Sequence, residues 1–317
     1  MEKLIDIMSY PVDGVLDVLL QDKTTNKNII WATDAYSSDD PQFGDKAPIT
    51  VGALTGYGAI DLRPRISKSI EEQLERTRKK AEVMTPVWIC NKMNNYADEQ
   101  WFGREDVFNH ENADHTWTVT EGLIQFPEGK DWKKYVDSRR LEITCGEAPY
   151  LVSRYDTTTG DLIEPPNIRI GMLDRKLRIV NENAATDEEW MKWAERAFES
   201  CYGYEYQGDN LLIARINMLM TYYEYYKFRF GINPDIRILQ HIAHIIAWNL
   251  WQMDGLKDTV PLGKPEPEDD NFTLDQLFPE AMFVDQRKNE ETAPYCRIFN
   301  WRSNESLRFK DCKEKSL

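Results

Sequence analysis

Apolar and polar positions fall into blocks along this chain, and the blocks predict where regular structure forms. From Ile66 to Val83 the pattern is helical. Ser67 or Ser69 stands ready to cap it, and Glu71, Glu72 and Glu75 precede Arg76, Arg78, Lys79 and Lys80. Acid early and base late suits the helix dipole. Trp190, Trp193, Ala194 and Phe198 recur at helical spacing within Glu188–Tyr202, and Asn210–Phe228 reads as a further helix. Residues 236–252 are strongly apolar and fit a helix or a buried strand equally well, since periodicity alone does not separate the two. Asn28–Thr33 reads as a short strand, Leu141–Thr144 as a strand end before a turn at Gly146, and Tyr295–Trp301 with Leu307–Lys310 as a small hairpin with a charged end. Turn residues mark Ser37–Asp45 as a loop, and proline with acid marks Leu262–Asp270 as a linker or domain edge. Residues 96–140 are rich in Trp, Asn, Asp and Gly.

Composition narrows the class. The 317 residues, 41% hydrophobic and 12% aromatic, can build one large α/β domain with additions or two modest domains. No apolar run approaches the roughly 20 residues that span a bilayer. The start, Met1-Glu-Lys-Leu-Ile-Asp6, has no basic region followed by an apolar stretch. The five cysteines are scattered and form no C-x-x-C pair, which fits reduced thiols in the cytoplasm rather than a disulfide framework or a zinc ribbon. The net charge of −15 bears on partners. DNA binders usually carry a basic footprint, because phosphate contacts dominate affinity. A local basic face, a separate DNA-holding subunit, or an acidic surface that imitates DNA would each reconcile this charge with a role at DNA.

Two segments carry the chemistry. The first is Ala81-Glu-Val-Met-Thr-Pro-Val-Trp-Ile-Cys90 and the second Leu141-Glu-Ile-Thr-Cys-Gly-Glu-Ala-Pro-Tyr150. The first resembles the F-T-P segment of adenine-specific DNA methyltransferases of restriction–modification systems. The second resembles their S-adenosyl-L-methionine signature, D-P-A-C-G-S-G, with Glu142 in the place of the acid, then Cys145 and Gly146, and Ala148 where the last glycine would be. Pro149 directs Ala148 to extended conformations with negative φ. Tyr202-Gly-Tyr-Glu-Tyr-Gln-Gly-Asp-Asn-Leu-Leu-Ile-Ala-Arg-Ile-Asn217 is similar to the segment in which an acid ends a strand before a helix. His244-Ile-Ile-Ala-Trp-Asn-Leu-Trp-Gln-Met-Asp-Gly255 resembles the context of the N-P-P-Y motif, with both prolines missing and one residue fewer.

This resemblance spans roughly residues 80–256. It implies a Rossmann-like class I methyltransferase fold over 81–260, an N-terminal extension over 1–80, and a linker with a β-containing tail over 261–317. It implies S-adenosyl-L-methionine as methyl donor and the N6 amine of DNA adenine as acceptor, with help from a restriction or specificity subunit. On the same basis Thr85 and Pro86 close over the cofactor, and Glu142, Cys145 and Gly146 line it. Glu205, with Asp209 as substitute, takes the ribose hydroxyls. Asn249 accepts the amine hydrogens of a flipped adenine and Trp251 stacks on its ring.

Two other readings stay open: a non-catalytic, methyltransferase-like scaffold subunit, favoured by the lost prolines, and an acidic inhibitor of a DNA-binding protein. His241 and His244 could share a helix face, but no third metal ligand is evident. Asp174-Arg-Lys176 matches a nuclease core only loosely. Neither a Walker A loop nor a G-x-S-x-G elbow occurs.

Overall fold

A computed structural model describes residues 3–36, 40–80, 82–265 and 292–314. Its centre is a three-stranded parallel sheet in sequential order: β1 (Arg140–Ile143), β2 (Cys201–Glu205) and β3 (Leu250–Gln252). Leu141 pairs with Tyr202 and Ile143 with Tyr204, while Gly203 pairs with Leu250 and Glu205 with Gln252. Parallel neighbours need long crossovers. The chain supplies them as two helix pairs. α3 (Met172–Asn183) and α4 (Asp187–Glu199) join β1 to β2. α5 (Gly208–Phe230) and α6 (Ile236–Asn249) join β2 to β3. Such crossovers are almost always right-handed, so successive steps in one direction place these helices on one face of the sheet. The fold is therefore mixed α/β.

Local chemistry explains the helix boundaries. Ser69 and Glu72 form a reciprocal capping box ahead of α1 (Ile70–Lys80): Glu72 N–H donates to Ser69 Oγ (3.2 Å) and Ser69 N–H to Glu72 Oε2 (2.7 Å). Thr186 caps α4 through Glu189 N–H, and Asp235 caps α6 through Arg237 N–H. Gly231 ends α5 in the left-handed conformation, as Gly103 ends α2 (Val87–Phe102). The apolar run from 236 to 252 is both alternatives in succession, since α6 passes directly into β3 at Leu250.

The sheet's two faces differ. Cys201 and Leu250 point into a large core with Trp190, Phe198, Leu211, Ile242 and Ile246, and this core also draws in Ile5, Leu19 and Trp31 from the N-terminal residues. Tyr202, Tyr204 and Trp251 point the other way. They pack with Met253, Cys296 and Phe309 beneath the hairpin of β4 (Arg297–Asn300) and β5 (Glu305–Arg308). Two buried polar side chains sew the distant segments together. Arg215, fully buried, donates to the carbonyls of Leu19 (2.5 Å), Gln21 (2.9 Å), Ala247 (3.3 Å) and Leu250 (2.6 and 2.9 Å). Gln252 accepts from Ile30 N–H (2.9 Å) and donates to Ile30 O (2.8 Å), so its amide acts as a short piece of strand beside β3.

Two expectations change. Asn28–Thr33 is not a continuous strand. Only Lys27–Asn28 pairs as one, Ile30 forms an isolated bridge to Pro48, and Ala32 turns the chain with φ of 50°. Ala148 adopts φ of 66° rather than the negative value that the following proline favours. A tight turn holds it there: Ala148 N–H donates to Cys145 O (2.6 Å), and Ala148 O accepts from Leu151 and Val152. Residues 87–140 hold α2, a ribbon pairing Asn109–Glu111 with Trp117–Val119, and the short helix Trp132–Val136. Of the expected linker, Lys264–Pro265 pairs with Thr292–Ala293, while residues 266–270 lie outside the described ones, as do 37–39 of the expected loop.

Candidate functional site

The turn after β1 lies at the carboxyl ends of β1 and β2, the edge of an open α/β sheet where ligands usually bind. Cys145 N–H donates to Tyr204 O (2.8 Å), which carries the β1–β2 pairing one step past the strand. Gly146 follows with φ of 51°, a conformation that costs a residue with a Cβ. On β2, Gly203 leaves room for the turn. A Cβ there would lie 2.9 Å from the Leu250 side chain and 3.1 Å from Cys145 Cβ, so a side chain would push β1's turn or β3 away.

Buried carboxylates hold the turn. Glu142 accepts from Tyr150 N–H (3.2 Å) and Leu151 N–H (3.1 Å), closing the loop that contains Gly146. Glu205 accepts from Gly146 N–H (2.9 Å) and Gln207 N–H (3.1 Å). Glu147 accepts from Arg65 N–H (2.6 Å) and the Tyr155 hydroxyl (2.8 Å). None of the three forms an ion pair among the described residues, and all are at most 5% exposed. Burial therefore dominates their protonation. It pushes Glu142 up to about 8, against its two backbone donors and with repulsion from Glu205 adding to the rise. Burial also raises Glu205 and Glu147 above the usual carboxylate range, and Cys145 well above the usual thiol range.

The segment before α2 reaches this turn. The Met84 thioether comes within 3.8 Å of the position a Cβ on Gly146 would occupy. Thr85 O accepts from Thr157 Oγ1 (2.8 Å), and Pro86 is the residue at the head of α2. The structure thus brings Glu142, Cys145, Gly146 and Glu205 together, with the Thr85–Pro86 segment alongside. A carboxylate has about four acceptor sites. Three N–H groups approach Glu205, those of Gly146, Gln207 and Tyr206, which leaves about one acceptor site for a hydroxyl donor.

Asp209 belongs to a different cluster. It is fully buried in the first turn of α5, with Arg76 Nη1 at 2.8 Å, Lys68 Nζ at 3.7 Å and the Tyr36 hydroxyl donating at 2.8 Å. Burial opposes its charge, but Arg76 and Lys68 outweigh it and hold the carboxyl below its ordinary value. Glu82 completes the network, bound by Arg76 Nε (2.7 Å) and Asn210 Nδ2 (3.0 Å). Asp209 is neutralised by these cations rather than offered to a ligand.

Asn249 and Trp251 do not form an open base pocket. Asn249, fully buried, donates to Phe198 O (2.9 Å) and Cys201 O (3.0 Å) and accepts from Trp301 Nε1 (2.8 Å). Trp251 is 2% exposed, lies against Tyr204 and Phe309, and points its Nε1 at Met253 Sδ (3.2 Å). The reason is local: Asn249 ends α6 facing the large core, and Trp251, one residue along the strand from Leu250, faces the opposite side. His241 pairs with Glu195 (3.0 Å) and the His244 ring faces Lys23 Nζ (3.4 Å). Among the described residues no group of three ligating side chains is placed to hold a metal ion.

Sequence reasoning missed Glu147, Arg76, Glu82 and Arg215. Arg215 and Asn217 stand in the quoted Ala-Arg-Ile-Asn run, and their polarity inside an apolar helix was the available signal. No family model, curated protein or solved structure matches this chain. Among the described residues no helix is long and apolar enough to cross a membrane.

Proposed function

We propose that this chain is a methyltransferase-like protein of a restriction–modification or defence system. In this reading it has a Rossmann-like class I fold, binds S-adenosyl-L-methionine at the Gly146 turn, and acts on DNA adenine N6 alone or with a partner subunit. The observation that carries the reading is the set of buried, unpaired carboxylates around a left-handed glycine at the carboxyl ends of adjacent parallel strands. Buried carboxylates without a counter-ion are costly, and a cationic ligand relieves that cost. The sulfonium and ammonium groups of S-adenosyl-L-methionine supply such charge. Glu205 keeps acceptor capacity for a ribose hydroxyl, and Gly146 lets the backbone come close to the ligand. Methyl transfer would be an in-line displacement by the adenine amine, in which positioning carries most of the rate.

The position of Asn249 favours a second reading, a binding or scaffold subunit that keeps the cofactor site without the adenine grip. Calorimetry with S-adenosyl-L-methionine and S-adenosylhomocysteine tests the first step. Micromolar binding of both, weakened by about 1–3 kcal/mol in Glu205→Ala, supports the cofactor site. No binding of either ligand removes it. A DNA methylation assay then separates enzyme from scaffold.

A further inference from the structure

We propose that the groove between the outer face of the sheet and the C-terminal hairpin binds single-stranded DNA, with an unstacked base against its aromatic wall and phosphate at its arginine rim. The groove encloses about 590 Å³. Half-buried Phe299, Ile298 and Leu307 present its open surface, and the buried Tyr202, Phe309 and Trp251 lie behind them. That volume falls in the range of about 300–1,000 Å³ that takes small organic ligands. Unstacked bases gain from aromatic surfaces whatever their sequence, whereas bases stacked in a duplex cannot reach them.

Charge selects the partner. Arg139 and Arg140 from one segment and Lys313 from the C-terminal one line the groove, with no Asp or Glu among its described lining residues, on a chain whose net charge is −15. The fold joins these two segments beside the groove. Arg302 donates to Asp137 O (2.8 Å) and its carboxylate (2.5 Å), and Arg139 donates to Asn300 Oδ1 (3.0 Å). Of the cations lining the groove, Arg140 lies 3.3 Å from Asp98 and Lys313 lies 2.8 Å from Asp258. Arg139 is exposed and meets only the neutral Asn300 amide in the described contacts. It is the cation placed to take a phosphate. The exposed Leu141 side chain continues the apolar floor toward solvent. Only the choice of DNA over other polyanions rests on the function proposed above.

The test is fluorescence anisotropy with a labelled single-stranded oligodeoxynucleotide of about 12 nucleotides, within the span such grooves cover. Arg139→Glu and Leu141→Glu alter the rim and floor. Arg237→Glu makes the same charge change at an exposed site on α6, where Arg237 pairs only locally with Asp235. Binding weakened about tenfold or more by each groove variant and within about twofold by Arg237→Glu is the expected result, with the salt slope reduced by about 1 in Arg139→Glu. Equal losses in all three variants, no loss in the groove variants, or no binding by the unmodified protein at low salt would overturn the proposal. Titration of S-adenosyl-L-methionine into the same samples separates the two ideas. Cofactor binding without oligonucleotide binding defeats the groove alone, and the converse defeats the cofactor site alone.

Discussion

Replacing Asn249 separates a structural asparagine from a base-gripping one. Its amide makes three hydrogen bonds, two to the backbone that links α4 to β2 and one from the Trp301 indole on the C-terminal hairpin. Asn249→Ala removes all three. The indole N–H then loses its acceptor, at about 1–3 kcal/mol for an unsatisfied buried donor, and the two carbonyl bonds are each worth about 0.5–1.5 kcal/mol. The sum is on the order of 3 kcal/mol, or about 5 °C in Tm for a domain of this size. Asn249→Asp should cost more although its shape is nearly the same, because it turns a carboxylate oxygen toward the Phe198 and Cys201 carbonyls. Thermal melts and urea titrations measure both. An Asp variant more stable than the Ala variant, or Tm values within about 1 °C of the unmodified protein, would refute the clamp and return Asn249 to the list of catalytic groups.

Glu142 makes stability depend on pH in a defined direction. Its folded value of about 8 lies above the ordinary 4.5, so folding favours the neutral form, and the penalty is absent below about 4.5 and grows until pH passes about 8. Glu142→Gln should therefore gain stability relative to the unmodified protein between pH 5 and pH 9 (~4 pH units); a difference in Tm that stays flat across that range contradicts the assignment. Asp209 works in the opposite sense: its lowered value means that its contribution is present above the unfolded value of 3.8 and is lost as pH falls through the folded one. Asp209→Ala leaves Lys68 buried without its partner and Arg76 with Glu82 as its remaining carboxylate, and should cost about 3–5 kcal/mol by urea denaturation; a loss below about 1 kcal/mol would mean that the cluster is hydrated. Arg215→Met removes the donors that tie Leu19 and Gln21 to β3, and hydrogen exchange should rise first in the N-terminal residues; uniform exchange across the chain argues against this tie.

Local signals reached the helices well. The expected helices at 188–202 and 210–228 are α4 and α5, displaced by a residue or two at most ends, because the apolar stripe of α4, the continuous apolar run of α5 and the acidic first turns of both are encoded within each segment. Ser69 capped α1 as one of two expected serines. The strand at Leu141 and the hairpin at Tyr295–Lys310 also appear close to where turn residues placed them. Most of what was hidden depended on long-range partners. The Arg76–Asp209 cluster and the Asn249 clamp each join residues dozens of positions apart, and no spacing rule anticipates a buried ion pair or a carbonyl held by a distant amide. The Ala148 turn is local, held by Cys145 O, but runs against the preference of a residue before proline. The same limit explains the two strands of the site. Glu205 was placed at a strand end from its neighbours, but its bond to Gly146 follows from sheet register.

The Gln252 amide has a consequence for how this molecule behaves in a crowd. A side chain that occupies both polar groups of Ile30 takes them out of reach of a foreign strand, which would otherwise find an N–H and a carbonyl free to pair with. An apolar residue in place of Gln252 would leave the N–H and carbonyl of Ile30, and the Tyr206 carbonyl, without that partner. Whether that N-terminal segment stays closed to other chains rests on a single amide.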